Sequence, residues 1–100
     1  MTITQTNENG KVTIKPEGWL DTASSPELNA VVESITQADA IVFDFDLVEY
    51  MSSAGLRAVV AAHKKALSLG AAFSVVRVCN EVMSIFQMTG IDKKLTIEGK

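Results

Sequence analysis

The sequence predicts an α/β domain, a mostly parallel sheet of about five strands with helices packed around it. Three observations carry this. Ile41 to Phe45, apolar almost throughout, has the composition of a buried central strand, and Phe73 to Val78 reads as another strand. Between and after them, apolar residues recur at i, i+3, i+4 and i+7, the period of a helix face. Strands that alternate with helices imply right-handed crossovers and parallel neighbours. One hundred residues are enough for one such core and too few for two.

The chain opens with two strand-like segments, Ile3 to Thr6 and Lys11 to Lys15. They are joined through Asn9-Gly10, a dipeptide suited to the positive φ angles of a tight hairpin. Pro16 has no N–H to donate and is expected to end the ladder, leaving Gly18-Trp19-Leu20-Asp21-Thr22 as a loop. A helix follows, with two competing start signals. Ser24 with Glu27 spells a capping box, whereas Pro26 at the first helical position would make Ser25 the cap. Leu28, Val31, Val32 and Ile35 form its apolar stripe.

After the strand Ile41 to Phe45, the helical period returns from Ala54 to Leu69. Leu56, Val59, Val60, His63 and Leu67 fall on one face, with Arg57, Ala61, Lys64, Lys65 and Ser68 opposite. Gly70 stands where a left-handed cap is expected. Phe73 to Val78 forms the next strand. Val82, Ile85, Phe86 and Thr89 mark a short helix stopped by Gly90, with Ile91 placed for the hydrophobic contact that follows such a cap. Leu95 to Ile97 supplies a final edge strand, completing the order β-β-α-β-α-β-α-β.

Composition excludes several classes. A net charge of −3 and the absence of a basic stripe argue against nucleic acid. The first residues lack a basic region followed by an apolar core, so no secretory signal is expected. No apolar run approaches the roughly 20 residues that span a bilayer, so no membrane role is expected. One cysteine and one histidine cannot build a structural zinc site. There is neither a Gly-x-Ser-x-Gly nucleophile elbow nor a phosphate-binding loop. A cytoplasmic protein that is not an enzyme and carries no cofactor fits best.

The richest stretch is Tyr50-Met51-Ser52-Ser53-Ala54-Gly55-Leu56-Arg57, between the apolar strand and the second helix. It presents two hydroxyls at a helix N-terminus, where free N–H groups and the helix dipole favour an oxyanion. By itself Ser53 reads as a cap worth about 1 kcal/mol.

Taken together, four elements resemble the anti-sigma factor antagonists, whose fold is the STAS domain. These are Gly18-x-Leu20-Asp21 before the first helix, and Ile41-Val42-Phe43-Asp44 followed by Val48-Glu49-Tyr50-Met51. Ser53-x-Gly55-Leu56 opens the second helix, and Phe86-x-x-x-Gly90-Ile91-Asp92 closes the third. The resemblance covers essentially residues 1–100 and implies a small cytoplasmic bacterial switch protein. Its partners would be an anti-sigma factor that is itself a serine kinase, and a serine phosphatase. The unphosphorylated form would bind the kinase and free a sigma factor, and phosphorylation would turn that binding off. By position Ser53 would be the phosphoacceptor. Asp21 and Asp44 match acidic positions beside the site, and Gly55 and Leu56 match the helix-opening pair. Ser52 stands where the family usually has an aspartate, so a local negative charge is missing and Ser52 becomes a second candidate for modification. The alternative implied by the same resemblance is a constitutive STAS interaction module, a subunit of a larger assembly with no phosphorylation cycle.

Other residues have plainer readings. Asp21 either contacts a charged partner or bonds its own backbone in a turn. Asp44, Asp46 and Glu49 invite a Mg²⁺ hypothesis, but a turn-bonded, solvated acidic loop is preferred because no complete ligand set accompanies them. His63 lies ten helical residues from Ser53, about 15 Å of rise, so the two cannot form a catalytic pair. Trp19 is either an exposed interface anchor or a ring closing one end of the sheet. Met83 and Met88 are expected to fill core gaps, and Cys79 to act as a small apolar residue at a strand end.

Overall fold

In the computed structural model, which describes residues 1–100, the sheet is built around one long strand. Strand β2 (Lys11–Leu20) pairs antiparallel with β1 (Thr2–Glu8) on one flank. On the other flank it has two successive parallel partners. Its first half pairs with β3 (Ala40–Asp44) and its second half with β4 (Leu47–Met51). Strand β5 (Ala72–Val78) lies parallel beside β3, and β6 (Thr96–Gly99) parallel beside β5. The sheet therefore has six strands, all but β1 parallel to β2, rather than the five expected. The extra strand is β4, whose residues Val48 to Met51 the sequence had left between an acidic loop and a helix.

Pro16 does not end the ladder. Asn9 and Gly10 take φ angles of 53° and 86°, giving the two-residue hairpin that makes Glu8 and Lys11 a hydrogen-bonded pair. Counting along the alternating ladder, Ile3 and Pro16 then fall on a non-bonded pair, so the β1 side asks nothing of the proline nitrogen. On the far side the β3 pairing stops at Ile14 and the β4 pairing starts at Glu17. Pro16 sits in the gap between partners, where no N–H is required, and β2 continues through Gly18, Trp19 and Leu20 rather than becoming a loop.

Each crossover, through α1 (Ser25–Glu33), α2 (Ser53–Ser68) and α3 (Asn80–Thr89), steps one strand in the same direction. Right-handed connections then place all three helices on one face of the sheet. The core lies between, with Val12, Ile14, Ile41, Phe43, Val75 and Phe86 fully or almost fully buried. Phe45 links the layers, its ring stacked 5.8 Å from Phe43 and 6.5 Å from Phe86. On the opposite face Thr4, Thr13, Lys15 and Ser74 reach solvent, the polar-out pattern of a half-buried sheet. No helix is long and apolar enough to cross a membrane.

The most instructive departure concerns α2. Its buried residues are Gly55, Ala58, Val59, Ala62 and Ala66, so of the stripe drawn from hydropathy only Val59 is buried. Leu67 is exposed, and Leu56, Val60 and His63 are only half-buried. The cause is close approach. A Cβ built on Gly55 would lie 2.6 Å from the Leu20 carbonyl oxygen and 2.7 Å from Met51 Cγ. The first turn thus rests on the ends of β2 and β4, and apart from Val59 only glycine and alanines are buried behind it. In α3 the stripe holds for Val82 and Phe86, and Gly90 makes the left-handed stop at φ 75°. Met83 is half-buried as filler, whereas Met88 stands 86% exposed and fills nothing.

Candidate site at the tip of the second helix

The serine pair lies where the C-terminal ends of two parallel strands meet a helix N-terminus, the general location of ligand sites in open α/β sheets. Leu20 pairs with Met51, and the Ser52 N–H donates to the Leu20 carbonyl at 3.0 Å. This fixes the Leu20-Asp21 turn beside Ser52-Ser53. Ser52, not Ser53, occupies the N-cap position, with extended backbone, and its carbonyl accepts from Leu56 N at 3.0 Å. Neither serine supplies a side-chain cap, so the expectation that Ser53 caps the helix is corrected. Ser53 is the first helical residue and its side chain is exposed. The Ser52 Oγ is buried with no hydrogen-bond partner. The two hydroxyls therefore differ in the one property a modifying enzyme needs: only Ser53 can be reached.

Asp21 organises its own turn. Its Oδ1 accepts from the N–H groups of Ala23 (3.0 Å) and Ser24 (3.1 Å). The Ser24 Oγ in turn accepts from Asp21 N at 2.9 Å and donates to the Trp19 carbonyl at 2.7 Å. Ser24 is the N-cap of α1, its hydroxyl turned back toward β2 instead of forward into the helix, and Pro26 follows in the first turn. The Ser24 N–H, and behind it the remaining donors of the turn, outweigh partial desolvation and hold the Asp21 carboxyl below its usual value. Asp21 Oδ2 makes no hydrogen bond within the chain.

Trp19 and Tyr50 complete this end. A bulge at Gly18, whose φ is 97°, lets Trp19 pair with Tyr50 while Gly18 pairs with Val48. The rings lie 5.4 Å apart and tilted by 55°, and Trp19 remains 61% exposed. Trp19 thus stands as a strand residue on the surface, not as a lid on the core.

Asp44 is elsewhere. Five residues of β4 separate it from the serines, a rise of about 17 Å. Its placement beside Ser53 is therefore corrected. It is buried and held in a bidentate pair by Arg77, with Arg77 Nε at 3.0 Å from Oδ1 and the second guanidinium nitrogen on Oδ2. Arg77 reaches it from a left-handed backbone, φ 56°, where the β5–β6 register shifts. Burial works to raise the Asp44 carboxyl. The Arg77 hydrogen bond, the Asp46 N–H at 3.1 Å and the charges of Arg77 and Lys15 overcome it and hold the group below its usual value. The same contacts, the Asp44 hydrogen bond first, raise the guanidinium. Asp46 is shared between Arg77 and Lys100, at 3.8 and 3.4 Å. Glu49, expected in an acidic loop, is an exposed residue of β4. Asp44 and Asp46, but not Glu49, form an ion-pair knot where the sheet forks between β4 and β5.

Gly55 and Leu56 divide the work of the motif. Gly55 is buried and permits the close contact with Leu20; Leu56 is half-buried and opens onto the surface. His63 rests near Phe73, ring centroids 5.9 Å apart, with its Nδ1 buried and unpartnered. Cys79 precedes α3 and directs its thiol toward the Val48 carbonyl at 3.6 Å. Sequence reasoning had no route to Arg77, because a charged residue in an apolar strand announces a partner without naming it.

Comparison with known proteins supports the architecture. Among curated protein sequences, none matches this chain. An anti-sigma factor antagonist from Mycobacterium paratuberculosis has a similar structure, with a TM-score of 0.88 at 23% identity over 99% of this chain and 86% of that one. The unphosphorylated anti-sigma factor antagonist SpoIIAA superposes with a TM-score of 0.81 at 18% identity, over 96% and 87% of the two chains. A sulfate transporter family protein from Wolinella succinogenes also has a TM-score of 0.81, at 13% identity over 91% and 78%. The STAS domain profile matches residues 2–100, and with the sheet, the three helices and the serine-glycine turn in place, the chain belongs to the STAS domain family.

Proposed function

We propose that this protein is a phosphorylation-controlled protein–protein switch of the anti-sigma factor antagonist kind, with Ser53 as the phosphoacceptor. It is the substrate of a serine kinase and has no catalytic role of its own. The observation that carries the reading is the asymmetry of the serine pair, one hydroxyl exposed at the first helical position and its neighbour sealed. A phosphoryl group would bring about −1.5 to −2 charges to a helix N-terminus, where free N–H groups and the dipole tolerate it. The helix would stay folded, so the effect would be exerted on the docking surface. A strongly hydrated dianion there must be desolvated, or must meet a like charge, before a partner can seat. The unphosphorylated form would bind an anti-sigma factor kinase and a phosphatase would restore it. The structurally similar SpoIIAA is known in a phosphorylated form as well, which supports the reading.

Two measurements test it. Intact mass and peptide mapping of protein from its native cells should find phosphate on Ser53. Ser53→Asp should bind the cognate kinase far more weakly than wild type, while Ser53→Ala retains affinity; equal affinity in all three would overturn the switch. A second reading, a constitutive interaction module within a larger assembly, draws support from the same fold in the sulfate transporter family protein. Absence of phosphate under both growth and stress would select it.

A further inference from the structure

The residues that α2 fails to bury line a groove. Leu56 and Val60, one turn apart, form one wall, and Ile91, just after the Gly90 stop, forms the other; the hollow measures about 430 Å³. It continues past Val60 and Ile91 into a second hollow of about 200 Å³ ending at Leu95. The charged residues along it are Arg57 and Lys64 on the helix and Lys94 opposite. No carboxylate lines it, and none of the three cations takes part in the chain's five ion pairs. In a protein of net charge −3, an apolar trough rimmed only by free cations is a local inversion of sign. It is also continuous with the candidate switch, since Ser53, Leu56, Arg57, Val60 and Lys64 follow one helix face at spacings of three and four.

We propose that this groove is the docking site for an acidic amphipathic helix of a partner protein. From Leu56 to Lys64 the wall rises about 12 Å, room for about two turns of a partner helix. The walls are side chains of a helix and a 3₁₀ turn with no free strand edge, so they suit ridge-into-groove packing, not strand addition. Apolar anchors of the partner fill the trough and its flanking carboxylates meet Arg57, Lys64 and Lys94. The inference deepens the proposed switch and rests on it for one point. A phosphoryl group on Ser53 would stand one turn from Leu56 and Arg57, at the head of the groove, and would repel a partner of the same sign.

The probe is a synthetic amphipathic helical peptide with leucines at i, i+3, i+4 and i+7 and glutamates on both flanks. A twin carries lysines in place of the glutamates. The glutamate peptide should bind wild type at least about tenfold more tightly than its twin and shift amide resonances of residues 56–64 and 91–95. Lys64→Glu and Lys94→Glu, on opposite walls and away from the core, should each weaken it several-fold while thermal midpoints stay unchanged. Equal binding of the twins, indifference to both variants, or shifts elsewhere on the surface would overturn the groove. Ser53→Asp should weaken the same peptide; unchanged binding would sever the groove from the switch. Phosphate on Ser53 in cells is a separate reading, so the switch and the groove can fail independently.

Discussion

The fork around Asp44 and the tip around Ser53 lie at the two ends of β4, and they treat polar groups in opposite ways. At the fork, every charge has a partner: Asp44 is clamped by Arg77, and Asp46 is divided between Arg77 and Lys100. At the tip, Ser52 Oγ is orphaned, the Ser53 side chain is exposed, and two aromatic rings face solvent. In the sequence the acidic residues read as a solvated loop; mutual satisfaction in ion pairs makes Asp44 and Asp46 structural instead. Incomplete satisfaction is what leaves a surface free for a second molecule.

The sharpest way to break the tip is through its backbone contact. Gly55→Val should destabilise the fold by about 3 kcal/mol, because the new side chain meets the Leu20 carbonyl and α2 must lift. Urea midpoints would show it, and a shift within error would mean the contact is looser than the geometry implies. The fork comes next. Arg77→Ala leaves the buried Asp44 carboxylate unpaired and should cost about 1–3 kcal/mol in denaturant titrations.

Acid should reach both regions. Asp21 and Asp44 each lie below their ordinary value of 3.8 when folded. Their contribution is therefore complete above that value and is lost as pH falls through it toward the depressed values. Stability should drop on acidification below about pH 4, and Arg77→Ala should flatten that loss at the fork alone. A pH profile identical in the variant would show that Asp44 does not draw its shift from Arg77.

The smallest effects distinguish the two serines. Ser53→Asp should stabilise α2 by about 0.3–1 kcal/mol, since a carboxylate in the first turn complements the dipole. Ser52→Ala removes a buried hydroxyl that has no partner and should change stability by less than about 0.5 kcal/mol. A larger loss in thermal melts of Ser52→Ala would reveal a hydrogen bond to that hydroxyl.

Much of the scaffold could be read in advance. Asn9-Gly10 made its hairpin, Gly90 its helix stop, and the runs around Ile41 and Phe73 their strands. What escaped was β4, because a bulge breaks its period so that Val48 and Met51 are buried while Glu49 and Tyr50 between them are exposed. The passage of β2 through Pro16 escaped as well, since it depends on where two other strands stop and start. Of the candidate residues, the family resemblance put Asp21 beside Ser53 and Gly55, and the pairing of Leu20 with Met51 brings them to the same tip. Asp44 is not brought there, because its partner lies on β5 and only folding brings them together.

Local chemistry in the chain, then, determined the hairpin, the helix boundaries marked by glycine, and the presence of two hydroxyls before a helix. Those features act within a few residues and need no distant partner. Tertiary packing decided which hydroxyl is open, which carboxylates are silenced, and which face of α2 is buried. The last outcome runs against hydropathy for a simple steric reason. A helix pressed onto strand ends through a glycine buries mostly small residues behind it, with Val59 the exception, and that leaves Leu56, Val60 and Leu67 partly or fully at the surface.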